Sequence, residues 1–356
     1  MFPVHNEKLA KSEEHQNEWE NFNMNDAERA QGIMTGISVG NLLGITVEGW
    51  SRGAIRHRHP EGMREIVASS GYPDDDDLAQ SIIVAEAAAE GPLDVDDLGR
   101  RFWVWGEENG AGMGGLTGRA LTLYGGSYPQ RLERNRSPGM AREPHGLSAA
   151  QASRQAWQGY SAGNGALMRC APLAIRWRHD PVRLVRESIV SAVPTHWDPR
   201  CGWSCALYNL AIAATFRNET PTPDALIGLA KDGVEQALDE LRHYEYEPEP
   251  PEIVVTMLHE ASRSSLDDLT FDGGNMGYTL LSMQAGMIAF WRAPSFEAGV
   301  RETVEAGGDT DTNGAIVGAI IGARFGLEGI PPRWRRSVAA VRTGRVSMEI
   351  LAGKLT

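Results

Sequence analysis

Two stretches of this chain repeat glycine at every fourth position: Gly32, Gly36, Gly40 and Gly44 near one end, and Gly314, Gly318 and Gly322 near the other, the latter set flanked by Ala315, Ala319 and Ala323. A period of four belongs to one face of a helix, yet each interior glycine costs about 1 kcal/mol of helix propensity relative to alanine. A whole stripe is tolerable where a second backbone must come very close. Membrane helix pairs use the same device, but these segments fall short of the roughly 20 apolar residues of a span and are flanked by charge. The expectation is therefore a central, tightly packed helix pair in a soluble chain.

The remaining pattern is helical almost throughout. Residues 78–90, 181–193, 202–216 and 278–292 carry apolar side chains at three- and four-residue spacing. Strand-like alternation is scarce, and the one candidate, 64–67, is too short to assign. The fold class expected is all-α, a compact multi-helix bundle with functional loops. Residues 1–26 are polar and acidic and read as a leader without the apolar core of a signal peptide. Residues 27–356 read as one helical domain, because the candidate site residues come from both ends of it. Two segments, 125–146 (rich in Arg, Pro and Gly) and 243–251 (alternating Glu and Pro), read as long surface loops. No internal repeat marks a solenoid.

Charge and cysteine usage narrow the partners. A net charge of −13 argues against a nucleic-acid backbone as main partner, while leaving room for a phosphate-bearing small molecule held by backbone N–H groups. No membrane association is expected. Cys170, Cys201 and Cys205 cannot build a disulfide framework, which suits a reducing cytoplasm.

Three acidic features carry the chemistry. Gly307-Gly308-Asp309-Thr310-Asp311-Thr312 opens the second glycine helix. Asp309 and Asp311 can point together at a hard cation and Thr312 adds a hydroxyl, a donor set that Mg²⁺ and Mn²⁺ prefer. An N-cap with an acidic first turn explains one of these residues but not the alternation. The second feature is Asp74-Asp75-Asp76-Asp77, between Pro73 and a clear helix. Four adjacent carboxylates repel unless solvated or neutralised by a cation, so a solvated cap and a metal site remain open. The third is Glu48, four residues beyond Gly44, ordinary unless the fold carries it to the other two.

The neutral motifs say less. Ser161-Ala162-Gly163-Asn164-Gly165-Ala166 offers glycines that would let backbone N–H groups face a diphosphate, although by itself a plain turn is the more ordinary reading. The glycine-rich stretch 112–118 shares the ambiguity. Thr195-His196 sits between two helices, where a histidine is more often a structural hydrogen-bonder. No His-Glu-x-x-His helix is present.

Together these pieces resemble the ADP-ribosylglycohydrolase family, in the family's order. The matching pieces are Gly40-Asn41-Leu42-Leu43-Gly44 with Glu48, Tyr72-Pro73-Asp74-Asp75-Asp76, Gly163-Asn164-Gly165-Ala166-Leu167-Met168-Arg169, Thr195-His196, and Gly307 to Thr312. The resemblance spans roughly residues 28–335 and rests on five motifs in sequence. It implies a compact all-α domain with a central dinuclear metal site. The implied cofactors are two divalent cations, Mg²⁺ or Mn²⁺, and the implied substrate is an ADP-ribosyl compound, either a modified protein or a small molecule. Carried over by position, the metal ligands are Glu48, Asp74, Asp75, Asp309, Asp311 and Thr312, with Asp76 added as a candidate. Glu48, Asp309 and Asp311 are the catalytic candidates. Gly112, Gly114 and Gly115, with Gly163, Asn164, Gly165, Ala166 and Met168, would hold the phosphates and nearby ribose, and His196 would border the ribose pocket. The implied activity is metal-dependent hydrolysis of a glycosidic bond to ADP-ribose. Two departures stand out: Asn41 replaces the family's usual Asp, and Pro73 replaces a metal-binding Thr. They motivate the hypothesis that Asp76 or Asp77 restores coordination, and an alternative in which the chain binds ADP-ribose or an NAD-like ligand without catalysis.

Overall fold

A computed structural model describes residues 24–67, 75–125, 149–157, 159–271, 273–340 and 348–356. The expected leader and the expected loop 125–146 lie almost entirely outside these residues. In chain order the helices are α1 (Asp26–Gly44), α2 (Arg52–Arg58), α3 (Asp76–Glu90), α4 (Val95–Glu108), α5 (Gly115–Gly125), α6 (Ala149–Ala156), α7 (Pro172–Arg176), α8 (Pro181–Ala192) and α9 (Pro199–Thr215). They continue as α10 (Pro223–Gln236), α11 (Leu238–Leu241), α12 (Glu252–Ala261), α13 (Thr279–Arg292), α14 (Phe296–Glu305), α15 (Thr310–Gly329), α16 (Pro332–Ala340) and α17 (Met348–Leu355). Among the described residues there is no strand, only isolated antiparallel bridges pairing Ser51 with Gly307 and Gly163 with Tyr278. The all-α expectation holds.

The helix starts follow from local chemistry. Asn25 and Glu28 form a reciprocal capping box at α1, each side chain accepting from the other's backbone N–H at 3.0 and 2.9 Å. Asp180-Pro181, Asp198-Pro199 and Thr222-Pro223 open α8, α9 and α10 alike: the side-chain oxygen caps, and proline, whose missing N–H costs nothing there, takes the first helical position.

The glycine stripes meet each other. α1 and α15 run antiparallel at the centre of the molecule. A Cβ added at Gly32, Gly36 or Gly40 would lie 2.3, 2.1 or 1.8 Å from the carbonyl oxygen of Gly322, Gly318 or Gly314, respectively. The reverse substitutions are blocked as tightly, so backbone touches backbone along three turns of each helix. The last rung is Gly44 against Thr310, whose hydroxyl donates to the Gly44 carbonyl at 2.8 Å. Around this pair α15 packs on α13 and α14, α9 packs on α8 and α13, and α17 closes over α1 and α3. Arg178 donates to Asp26 at the start of α1 and to the terminal Thr356 carbonyl, at 2.7 and 3.0 Å, and so ties both ends of the described chain together.

Two expectations need correction, and one unassigned candidate is decided. The first glycine helix is not too short for a bilayer: with its 3-10 extension it runs 22 residues, Asp26–Val47, and passes by length and composition. Its apolar character is accounted for by burial inside the helical bundle. Residues 64–67 form no strand; the Arg64 carbonyl accepts instead from the Trp334 indole at 2.8 Å. Residues 243–251 are not simply an extended surface connection. A 3-10 turn covers Arg242–Tyr244, and Tyr246 is buried with its hydroxyl donating to the Asp198 carbonyl at 3.3 Å.

Candidate functional site

Antiparallel packing puts the C-terminal end of α1 beside the N-terminal end of α15, and this places Glu48 with Asp309 and Asp311. The chain leaving α1 is then stitched to the segment entering α15. Gly49 N–H donates to the Gly308 carbonyl and Gly308 N–H to the Trp50 carbonyl, both at 2.8 Å. Gly307 and Gly308 have φ of 84° and 77°, a left-handed conformation that glycine adopts without strain. A Cβ on either would strike the backbone of Trp50 or Phe271, at 2.6 and 2.3 Å.

One carboxylate oxygen each from Glu48, Asp309 and Asp311 lie within 4.8 Å of one another, and a second group, Asp75, Asp77 and Asp311, meets the same limit. Asp311 belongs to both. Asp75 stands at the N-cap position of α3, without a capping hydrogen bond from its side chain, and Asp77 lies in the first turn, completely buried. The solvated-cap reading of the acidic run therefore fails for Asp75 and Asp77. Asp76 is half-buried and stands outside both groups; its Oδ1, with Asp75 Oδ1, lies against Gly112. Asp74 and Pro73 lie outside the described residues. Asn41 bridges the second group, its Nδ2 donating to Asp75 Oδ2 at 2.7 Å and Asp77 Oδ2 at 3.2 Å. Thr312 donates its backbone N–H to Asp311 at 2.9 Å, and its hydroxyl lies 3.4 Å from Asp77 Oδ2.

The electrostatics of this cluster are unfavourable for protein alone. Carboxylates about 4.8 Å apart repel by roughly 3 kcal/mol per pair at an effective dielectric of about 20, more than the ~0.3–1 kcal/mol a helix N-terminus commonly returns. Accordingly Glu48, Asp75, Asp76, Asp77 and Asp311 are all held above the ordinary carboxylate range, by burial first and then by their acidic neighbours, although hydrogen bonds from Asn41 and backbone N–H groups partly oppose this at Asp75. Asn41 Oδ1 and Asp77 Oδ1 are buried without a partner among the described residues. Crowded carboxylates, orphaned buried oxygens and an all-oxygen donor set fit a hard divalent cation.

Two glycine loops frame the cluster. Gly112 has φ 76° and sits on Asp75 and Asp76, whereas among the described residues a Cβ at Gly114 would meet nothing within 4 Å and one at Gly115 only the Trp157 ring at 3.8 Å. Gly163 pairs with Tyr278 while Asn164 N–H donates to the Gly277 carbonyl at 2.9 Å. The Asn164 side chain reaches the acidic cluster: its Nδ2 donates to Asp309 Oδ2 at 2.7 Å and to Ser282 Oγ at 3.1 Å. It thus fixes the Gly163–Gly165 turn to that cluster. Ala166 and Met168 are buried in the core. His196 lies beneath Gly163 and Gly165. No local pattern of residues marks the Asn164–Asp309 contact, Ser282, or which acids of the run are buried.

Known proteins resemble this chain over most of its length. The chain is 25% identical over 317 residues to a protein of Rhodospirillum rubrum named ADP-ribosyl-[dinitrogen reductase] glycohydrolase, covering 86% of this chain and 89% of that one. It is 24% identical over 320 residues to an ADP-ribosylarginine hydrolase of Pseudomonas putida, with 88% and 74% covered. A solved structure titled ADP-ribosylglycohydrolase-related protein complex superposes with a TM-score of 0.60 at 26% identity, covering 93% of this chain and 97% of that one. The pattern that defines the ADP-ribosylglycohydrolases matches residues 23–356. An all-helical scaffold whose central glycine ladder assembles an acidic cluster between two glycine loops is thus the scaffold of a glycosidic-bond hydrolase, and the chain belongs to the ADP-ribosylglycohydrolase family.

Proposed function

We propose that this protein releases ADP-ribose from an N-linked ADP-ribosyl group, with arginine as the aglycone to test first, and that it does so with two divalent cations, Mg²⁺ or Mn²⁺. The observation that carries the reading is Asp311, shared by two groups of three acids that stand side by side. Glu48, Asp309 and Asp311 would hold one cation and Asp75, Asp77 and Asp311 the other, with Thr312 beside both. Bound there, the cations would neutralise the carboxylates, orient ribose hydroxyls and lower the pKa of a water.

The chain's own groups divide the remaining work. Glu48 is the exposed member of the cluster, and its raised pKa makes it the group best able to exchange a proton at the mouth of the site. Asp309 is held by Asn164, so the loop that contacts ligand and the carboxylate that orients the attacking water move as one piece. The open sides of Gly114 and Gly115 let backbone N–H groups approach phosphate oxygens without side-chain interference. The transition state at the anomeric carbon carries oxocarbenium character, which an acidic surround favours. Asp77 supplies the compensating carboxylate suggested by Pro73, and Asn41 organises two acids rather than leaving a gap. Both weigh against a binding-only role. The buried, unpaired thiols of Cys170, Cys201 and Cys205 suit a cytoplasmic setting.

The test is release of ADP-ribose from ADP-ribosyl-arginine, with Mn²⁺ or Mg²⁺ and then with chelator. Metal-dependent release is expected. Absence of release with either metal, on protein that binds ADP-ribose calorimetrically, would reject arginine as aglycone; absence of both would reject the reading.

A further inference from the structure

A run of buried polar contacts behind the ligand loop has no task in the account above. Arg169 is fully buried, with its guanidinium 4.1 Å from the centre of the Phe102 ring. Its Nη1 donates to Gln80 Oε1 at 2.5 Å, and its Nη2 donates to the Ser191 carbonyl at 3.0 Å and to Thr195 Oγ1 at 2.7 Å. The Thr195 hydroxyl, also fully buried, lies 2.8 Å from His196 Nδ1. On the far side of the ring, a Cβ at Gly163 would sit 3.2 Å from His196 Nε2, and one at Gly165 would sit 3.1 Å from it.

We infer that Arg169 and Thr195 are positioning residues that set the tautomer of His196, so that it presents a fixed Nε2–H donor to an acceptor oxygen of the ligand beside the Gly163–Gly165 turn. The argument is one of proton placement. A guanidinium has only donors, so Thr195 Oγ1 accepts in its contact with Arg169. The hydroxyl owns a single proton, and among the described residues its other hydrogen-bond neighbour is His196 Nδ1. Donating there satisfies both groups. A proton on Nδ1 would instead leave the threonine hydrogen without an acceptor in a dry interior, which buried polar groups avoid. Nδ1 therefore accepts, and the ring proton resides on Nε2.

The charge state agrees. Burial first, and then the positive charge of Arg169, hold the imidazole pKa down to about 3 against the opposing pull of Asp198. Asp198 is itself committed to Arg200 and Ser161, at 2.7 and 2.9 Å. His196 is thus a neutral donor and not a proton shuttle. What it meets is a hydroxyl or phosphate oxygen, a consequence that rests on the ADP-ribosyl reading; the tautomer assignment does not.

Long-range ¹H–¹⁵N correlation spectra of the full chain labelled with ¹⁵N-histidine, without ligand, read the tautomer directly, with His196→Gln assigning the ring. The expected pattern is a neutral Nε2–H ring, unchanged between about pH 5 and about pH 9. Thr195→Val should admit the Nδ1–H form and lower kcat/KM on an ADP-ribosyl substrate by about tenfold, and Thr195→Ser should restore both. An Nδ1–H or imidazolium pattern in the unaltered protein at neutral pH overturns the inference, as does a Thr195→Val protein whose His196 signals do not change. A protein with the Nε2–H pattern that releases no ADP-ribose would uphold the inference and reject the proposed activity.

Discussion

Asp311 is the carboxylate on which both halves of the acidic cluster depend, and its replacement separates two effects that usually travel together. Asp311→Asn removes a buried charge that repels Asp75, Asp309 and Glu48, so the protein in chelator should melt at a higher temperature than the parent. The same change should abolish the stabilisation that Mn²⁺ gives and cut turnover by more than ~100-fold, the upper end of what loss of a supporting group costs a metal site. Thermal melts with and without Mn²⁺, beside the activity assay, check it; a lower chelator melting temperature would contradict the repulsion argument. Asn41 acts one step back, through its donations to Asp75 and Asp77. Asn41→Ala should weaken metal affinity by about 10–100-fold while leaving the helical circular dichroism intact, which a calorimetric Mn²⁺ titration measures.

At the scale of elements, the glycine ladder makes a sharper forecast than any propensity. Gly40→Ala puts a methyl group 1.8 Å from a backbone carbonyl that cannot rotate away, so α1 and α15 must part. Overpacking of this kind costs about 1–3 kcal/mol, and a drop of several degrees in Tm together with weakened metal binding is expected. Gly228, inside α10, has nothing within 4 Å of its would-be Cβ, and Gly228→Ala should stabilise by about 0.4–1 kcal/mol. Melting curves of the two variants side by side decide the matter. This ladder was legible in the sequence because close backbone approach leaves only glycine as a solution, and the long helices were legible from their apolar period. The acidic run was less so: four identical residues carry no register, and only the point where α3 begins decides that Asp75 and Asp77 join a group of three acids while Asp76 does not. Contacts such as Asn164 to Asp309 and Arg169 to Thr195 join segments far apart in the chain and leave no local pattern to read.

For the whole molecule, the acidic cluster sets how stability responds to pH. The folded-state pKa values of Glu48, Asp75, Asp76, Asp77 and Asp311 are raised above the roughly 4 of an unfolded chain. The folded chain thus keeps protons that the unfolded chain releases. Their contribution is fully present below about pH 4 and is lost as pH rises through the folded values. Asp198, whose pKa is lowered by Arg200 and Ser161 against the cost of burial, and His196, held down to about 3 by burial and Arg169, have the opposite sign: their contributions are lost as pH falls, and that of His196 is complete above about pH 6.5. In chelator, Tm should therefore fall between about pH 6.5 and about pH 8, and saturating Mn²⁺ or Mg²⁺ should remove most of that fall. Scanning calorimetry across pH with and without metal tests it; a Tm that rises over this range in chelator would show that the cluster does not govern the response.

The glycine ladder also acts as a ratchet on the geometry of the site. Its rungs come every four residues, and with a rise of about 1.5 Å per residue the next register in which glycines again face carbonyls lies about 6 Å away. Such a slip would carry Glu48 off Asp309 and Asp311 by that distance, farther than the 4.8 Å that now encloses them. Between these positions no intermediate register seats the backbones. Glu48 and the two carboxylates of α15 are therefore either fully assembled or fully apart, and their spacing is a discrete quantity that small changes elsewhere in the molecule cannot tune.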